Sequence, residues 1–222
     1  SNKLKLWPSN EQIAVESMSK IPIVLGHSAL NIEGDAKRKD VKESSVKAIL
    51  GDDPKKKWLL PYPGILANVP EFEKSAVGAG TISLAAEPDG IIRRIPIVSN
   101  IAGKIRPTLA SEMIREAFQG NSIAPKTGIN GLEEILIQTK AIGRAAIPTD
   151  AQGRVWIHYG PSDSANIDNS RYYVSASDII KGRIGKDRLS GKLGILGTSA
   201  TGLKDIRPTS VDERMPGVEG HA

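Results

Sequence analysis

The sequence GKLGILGTSATGLKD, at residues 191–205, lies near the C-terminal end of this 222-residue chain. Its apolar run at 193–196 predicts a short strand, and the glycine and hydroxyl residues at 197–202 predict a loop that follows the strand. In open α/β sheets, ligands bind beyond the carboxyl ends of strands. The pattern therefore predicts a ligand site at this strand end. The residues that we expect to form it are Thr198, Ser199 and Asp205.

The rest of the chain alternates predicted helices with predicted strands. Helices are expected after a cap at Ser9 or Asn10, over 41–50, over 109–118 with Gly120 behind it, and over 176–181 with Ser175 as the cap. Strands are expected at 21–26, 78–84, 91–98 after a turn at 88–90, and 133–139, with a hairpin made by 145–148 and 154–159. Because hairpins separate the helix–strand units, this order favours an α/β or α+β fold with a mixed β-sheet and flanking helices. We expect a single compact domain over 1–222.

Residues 27–57 are polar and follow no regular period, so we expect a loop or an insertion there. Their basic residues alternate with acids, as in DAKRKDVKE at 35–43, which is typical of a solvated face. The whole chain carries a net charge of +5, from 30 basic and 25 acidic residues, and the excess is spread along it. Aromatic residues interleaved with basic ones, as in single-strand binders, are missing. We expect no nucleic-acid partner.

The composition excludes several classes of protein. Cysteine is absent, which excludes disulfides, thiol catalysis and cysteine-based metal sites. The three histidines are far apart and show no metal-ligand spacing, so we expect neither a metal nor a cofactor. No apolar run reaches the roughly 18 residues that a membrane helix needs.

The sequence at 197–203 differs by one residue from two enzyme motifs. A phosphate-binding loop requires GxxxxGK followed by a hydroxyl residue, but Leu203 stands where the lysine is needed. A hydrolase nucleophile elbow requires GxSxG, and Ser199 lies in GTSATG, which is one residue too long. A small-molecule serine hydrolase built on Ser199 is kept as an alternative. Its general base would be His27, His158 or His221.

Six motifs between 87 and 222 are specific as a series. In chain order they are EPDGIIRRIPIV, RPTLASEMI, GRVWIHYGP, SASDIIKGRI, LSGKLGILGTSATGLKD and MPGVEGHA. This series resembles the CHASE domain family, type 2, the extracellular sensory domain associated with bacterial cyclases and histidine kinases. The segment IAVESMSKIPIVLG at 13–26 is similar to the helix–strand segment of the family. The first part of the family domain is expected to be missing, and 35–57 matches the family poorly.

The resemblance implies an extracytoplasmic sensor that performs no catalysis itself. Such a domain lies between membrane helices of a larger receptor, and the ending at 220–222 without a closing element predicts a domain cut from such a protein. The implied output is an adenylate or guanylate cyclase, with a histidine kinase, a Ser/Thr kinase or a diguanylate cyclase as alternatives. The signal is an unknown small molecule or protein. A homodimer suits a receptor, but no apolar stripe in the sequence indicates one.

The resemblance supplies no ligand-contacting residue, so further candidates come from the residues themselves. Tyr159 and one of Arg93 or Arg94 are our second choices for ligand contact. The alternative for the arginines is pairing with surface acids, with their stems covering apolar surface. The alternative for Asp205 is that it holds its own loop.

Overall fold

Short apolar runs, interrupted by glycine, proline and charged residues, give this chain short helices and strands. The computed structural model describes residues 8–51, 58–160, 173–198 and 205–222. These residues form several small mixed and antiparallel sheets and four α-helices, which confirms the predicted fold class. The chain divides into two compact units, which are Ser1–Ser83 with Pro96–Val155, and Leu84–Ile95 with Trp156–Ala222.

The helices and strands have the following bounds. The α-helices are α1 (Asn10–Met18), α2 (Pro70–Ser75), α3 (Leu109–Ala117) and α4 (Ala176–Ile180). The first strands are β1 (Val24–Leu30), β2 (Pro61–Tyr62), β3 (Gly64–Leu66), β4 (Gly78–Thr81), β5 (Arg94–Pro96), β6 (Val98–Ile101) and β7 (Lys104–Pro107). The later strands are β8 (Gly120–Gly128), β9 (Gly131–Thr139), β10 (Arg144–Pro148), β11 (Arg154–Trp156), β12 (Ile206–Arg207) and β13 (Met215–Pro216). Within the described ranges, every helix is too short or too polar to cross a bilayer.

The first unit contains three sheets. Strand β1 pairs in parallel with β4 and antiparallel with β3. Strands β8, β9 and β10 form an antiparallel meander. Strand β6 lies between β2, to which it is parallel, and β7, to which it is antiparallel. The predicted strand at 133–139 is confirmed as the middle of the meander, whereas β8 was not predicted.

The core of the first unit lies on the β8–β9 pair. Ile123 on β8 faces Ile137 on β9, and these two side chains and Ile135 are fully buried. Val98 and Ile105, from the neighbouring hairpin, belong to the same cluster. Because burying one isoleucine contributes about 1.5–3 kcal/mol, this cluster is a main source of the stability of the unit.

Helix α3 begins against strand β4, whose sequence is GAGT. Thr108 caps the helix and accepts a hydrogen bond from the amide of Ser111. A Cβ atom at Gly80 would lie 2.4 Å from the carbonyl oxygen of Thr108, and one at Gly78 would lie 2.4 Å from the carboxylate of Glu112. Glycine is therefore required in β4, because the first turn of the helix lies directly on the strand.

The second unit contains the predicted turn at 88–90, which is confirmed. Gly90 has φ +84, and its amide donates to the carbonyl oxygen of Glu87 at 2.8 Å. The amide of Ile92 donates to the carbonyl oxygen of Pro208 at 2.9 Å. Strands β12 and β13 pair antiparallel beside this contact, and Met215 on β13 is 3% exposed.

The predicted helix over 41–50 is wrong. This segment forms no helix, and it forms bridges from Val46 to Ile123 and from Leu50 to Lys126 of the meander. The amide of Leu50 donates to the carbonyl oxygen of Pro125 at 2.8 Å, so strand β8 supplies hydrogen bonds that a helix would have made internally. Residues 27–30 belong to β1. The interpretation of 27–57 as an insertion, and of 1–222 as one sensor domain, stays a prediction.

Two further strand predictions need correction. Residues 193–196 form no strand, and Leu193 and Leu196 are 59% and 91% exposed. A strand needs a neighbour for its backbone groups, and within the described residues this run has none. Residues 145–148 and 154–159 do not form a hairpin with each other, because β10 pairs with β9 through the short connection at 140–143.

Candidate functional site

The strand that was predicted before the C-terminal loop is absent, because residues 193–196 form no strand. Thr198 is exposed and lies in irregular chain, and Ser199 lies outside the described residues. The carbonyl oxygen of Asp205 accepts a hydrogen bond from the amide of Gly217 at 2.9 Å. Its carboxylate lies against the same glycine, where a Cβ atom would be 2.2 Å from Oδ1. These contacts connect Asp205 to Gly217, which follows β13. Ligand contact by Thr198, Ser199 and Asp205 stays a prediction.

The two arginines pair with acids of their own turn. Arg93 lies 2.9 Å from Asp89, and Arg94 lies 2.7 Å from Glu87. The Arg94 guanidinium also lies over the Trp156 ring, 5.3 Å from its centroid, which is a cation–π arrangement. These partners match the alternative that the sequence offered for both arginines.

Tyr159 is held by the backbone. Its hydroxyl donates to the carbonyl oxygen of Ile92 at 3.0 Å. Burial and the nearby negative charge of Glu219 raise the pKa of Tyr159 to about 12, so the side chain is a neutral donor at ordinary pH. Its ligand contact, like that of the arginines, stays a prediction.

A different site, which the sequence did not predict, lies in the first unit. Residues 36–43 and the β6–β7 hairpin enclose a cavity of about 200 Å³, which we call the basic cavity. Its cationic lining residues are Lys37, Arg38, Lys39, Lys104 and Arg106, and its acidic lining residue is Glu43. Its apolar lining residues include the buried side chains of Val41, Ile65 and Ile101.

Two of the five cations are paired with nearby acids. Lys37 lies 2.9 Å from Glu33, and Arg38 lies 2.7 Å from Asp40 and 3.5 Å from Asp35. The other three cations form no ion pair with any described residue. They are Lys39, Lys104 and Arg106.

The hairpin geometry directs two of these three cations toward the cavity. Residues of one strand alternate between its faces, and Lys104 and Arg106 line the cavity while Ile105 between them packs into the core cluster. The connection from β6 to β7 is a two-residue turn in which Ala102 has φ +51 and Gly103 has φ +77. Two positive φ angles are typical of the tight turn that matches strand twist, so the turn fixes the register of both cations.

Arg106 is the most buried charge in the cavity, with 7% of the residue exposed. Its Nη1 donates to the carbonyl oxygen of Lys42 at 2.8 Å. Burial lowers the pKa of Arg106 from its usual value, although attraction to Glu73 and Glu43 opposes this effect. The cost of burying the charged guanidinium therefore depends on the negative charge that lies near it.

The wall of the cavity is held by a buried carboxylate. Glu73 is 1% exposed and accepts from the amides of Lys42 at 2.7 Å and Asn68 at 2.8 Å, and from Nε2 of His27 at 2.7 Å. The amide of Lys42 thus binds Glu73 while its carbonyl oxygen binds Arg106. One peptide segment therefore links the buried carboxylate to the buried guanidinium.

Two more hydrogen bonds fix the same segment. The hydroxyl of Ser44 donates to the carbonyl oxygen of Ile105 at 2.6 Å, and that of Ser45 donates to the carboxylate of Glu112 at 2.5 Å. Glu112 is also paired with Arg115 at 2.8 Å. These contacts position residues 41–45 along one side of the cavity without any regular secondary structure.

The chemistry of the basic cavity follows from its lining residues. The described residues contain no cluster of three or more potential metal ligands. The cavity lining offers cations and apolar surface, but no serine, histidine or other nucleophile–base pair. What it offers is recognition of a small molecule of opposite charge.

Comparison with known proteins gives one finding. A family model described as the CHASE2 domain matches residues 11–222, nearly the whole chain. Neither the curated proteins nor the solved structures give a match.

Proposed function

The chain belongs to the CHASE2 domain family, and from this we propose that it is the signal-input domain of a bacterial transmembrane receptor with an adenylate or guanylate cyclase as its output. The family is one of extracellular sensory domains. The chain is therefore a sensory domain, and its family is not catalytic. The cyclase output, the periplasmic or exterior location and the flanking membrane helices are parts of the proposal.

The observation that carries the proposal is the extent of the family match. It covers residues 11–222, so the sensory domain occupies almost all of the chain. Catalytic output would then belong to another part of the parent protein. A histidine kinase, a Ser/Thr kinase or a diguanylate cyclase in that position is the alternative within the same class.

Signalling by such a domain requires two conformations with different affinities for the signal. A ligand that binds one of them more tightly shifts the population toward it, and the flanking membrane helices would transmit the shift. A ligand with equal affinity for both conformations would produce no output. The parent receptor is therefore expected to change cyclase activity when the signal binds.

The topology and the output of the parent protein can be tested together. Alkaline phosphatase fused within the domain in the full-length protein should be active, and green fluorescent protein at the same point should be dark. Membranes with the full-length protein should form cyclic AMP or cyclic GMP, and deletion of 11–222 should alter that rate. A fluorescent fusion with inactive phosphatase would overturn the extracytoplasmic placement.

The hydrolase alternative has its own test. A fluorophosphonate reagent should leave the isolated chain unlabelled, because no catalytic chemistry is expected in it. Stoichiometric labelling at Ser199, lost in Ser199→Ala, would replace the sensory proposal with the hydrolase.

A further inference from the structure

We propose that the basic cavity binds a small organic anion, with a carboxylate or phosphate group held by Arg106 and Lys104. This inference deepens the proposed sensory function, since it names the class of signal. Binding to the isolated chain tests it separately from signalling by the parent protein.

The charge balance of the cavity is the first argument. Five cationic side chains line it against the single carboxylate of Glu43. Lys37 and Arg38 are neutralised by acids of their own loop. Among the described residues, the other three cations form no ion pair, although the carboxylates of Glu73 and Glu43 attract Arg106. The cationic excess of the lining therefore favours a negatively charged ligand.

The state of Arg106 is the second argument. A guanidinium has five N–H donors in a planar fork, and the structure gives this one a single hydrogen bond, to the carbonyl oxygen of Lys42. The fork matches the two oxygens of a carboxylate or phosphate. Arg106 is 7% exposed and lines the cavity, so an anion in the cavity could accept from its remaining donors and compensate its charge.

The construction behind Arg106 is the third argument. The carbonyl oxygen of Lys42 accepts a hydrogen bond from the Arg106 guanidinium, and the amide of Lys42 donates to the Glu73 carboxylate at 2.7 Å. Glu73 is in turn fixed by Asn68 and His27. A binding group positioned by buried partners loses little freedom when the ligand arrives, which distinguishes this arginine from a surface cation.

The size and the apolar lining define the ligand. A cavity of about 200 Å³ is smaller than the roughly 300–1,000 Å³ of sites for drug-sized molecules. Val41, Ile65 and Ile101 add apolar surface to its lining. An anion with a short carbon skeleton fits these features better than a nucleotide.

The experiment is calorimetric titration of the 222-residue chain with succinate and with inorganic phosphate at low ionic strength. The uncharged diamide of succinate serves as the ligand control. We expect at least one anion to bind with one-to-one stoichiometry and the diamide to show no heat. Binding of succinate alone would show that the cavity recognises a carboxylate group, and binding of phosphate alone would show that it recognises a phosphate group.

Four variants test the location of the site. Arg106→Lys keeps the buried charge but loses the fork, and should weaken binding about tenfold. Lys104→Gln should weaken it about fivefold, and Glu43→Gln should strengthen it because a competing carboxylate is removed. Lys47→Gln, an exposed change of equal charge in a neighbouring segment, should leave affinity unchanged.

Three results would overturn the inference. The first is no binding of either anion to the folded wild-type chain. The second is equal affinity in wild type, Lys104→Gln and Glu43→Gln, whose side chains are exposed and whose folding is not at risk. The third is equal weakening by Lys47→Gln, which would indicate a general charge effect. Output by the parent that responds to another stimulus would still support the sensory function.

Discussion

His27 and Glu73, 46 positions apart in the sequence, share a buried hydrogen bond of 2.7 Å between Nε2 and Oε1. Both side chains are 1% exposed or less. Burial lowers the pKa of His27 from its usual value of 6.5, and the opposing attraction of Glu73 does not restore it. Neutral His27 thus donates from Nε2 to the ionised carboxylate.

This pair predicts loss of stability in mild acid. The folded protein binds a proton at His27 less readily than the unfolded chain does. The contribution of His27 to the free energy of unfolding is therefore complete above about pH 6.5 and is lost as the pH falls below this value. The pKa of Glu73 is also lowered, because hydrogen bonds from the amides of Lys42 and Asn68 outweigh its burial. Its contribution is lost when the pH falls further, below the usual glutamate range. Melting temperature measured from pH 8 to pH 3 should fall in this order.

The control for the pH prediction is His27→Gln, which keeps a side-chain donor for Glu73 but cannot titrate. Its melting temperature should be nearly constant between pH 8 and pH 5.5, where that of the wild type declines. An identical decline in both proteins would show that another group causes the effect.

The Glu73 carboxylate should be necessary for folding stability. Glu73→Gln would leave one acceptor oxygen for several buried donors, and a hydrogen bond to a charged group contributes about 1.5–3 kcal/mol. Urea denaturation should show a loss of this size. Glu71→Gln, an exposed change on the same helix, is the matched control and should change stability by less than about 0.5 kcal/mol. Equal effects of the two changes would contradict the assigned role of Glu73.

The turn between β6 and β7 should respond in opposite directions to two glycine exchanges. Ala102 has φ +51, which is costly for a residue with a Cβ, so Ala102→Gly should stabilise the fold by about 1 kcal/mol. Gly103 has φ +77, and a Cβ there would meet nothing within 4 Å. Gly103→Ala should therefore destabilise by about 1 kcal/mol through backbone strain alone. Changes of the same sign in chemical denaturation would refute this interpretation.

A side chain added between strand β4 and helix α3 should destabilise the fold. Gly80→Ala would place Cβ 2.4 Å from a backbone carbonyl oxygen, and overpacking of this kind costs about 1–3 kcal/mol. Thermal denaturation should show the loss. Gly185→Ala, where a Cβ meets nothing within 4 Å and the backbone has an ordinary φ of −65, should be nearly neutral. An unchanged melting temperature for Gly80→Ala would show that the helix can move away from the strand.

Local signals predicted the elements that depend on local interactions. Ser9 caps α1 through a capping box with Gln12, and the turn at 88–90 has the expected glycine conformation. The helix predicted over 109–118 is confirmed as α3, although two of its three buried residues are polar. Its buried polar residues are Ser111 and Glu112, whereas Phe118 is 37% exposed. Hydrogen bonds to Ser45 and Arg115 compensate Glu112, and these partners cannot be read from helical period.

The basic cavity was invisible to sequence reasoning for a related reason. Lys37, Arg38 and Lys39 lie among acids and have the pattern of a solvated loop. The residue that makes the loop one side of a cavity is Arg106, which is far away in sequence and belongs to a strand. Long-range pairing of this kind has no local signature. The alternation of Lys104 and Arg106 around Ile105 was the one signal that could have indicated a charged face on β7.

The division of the chain has a practical consequence for anyone who wishes to dissect it. The second unit takes Leu84–Ile95 from between the two halves of the first. No single cut can therefore release either unit as an uninterrupted polypeptide. A truncation after 155 would leave Leu84–Ile95 without the remainder of its unit. Deletion mapping of this protein should therefore use internal loop replacements or circularly permuted chains.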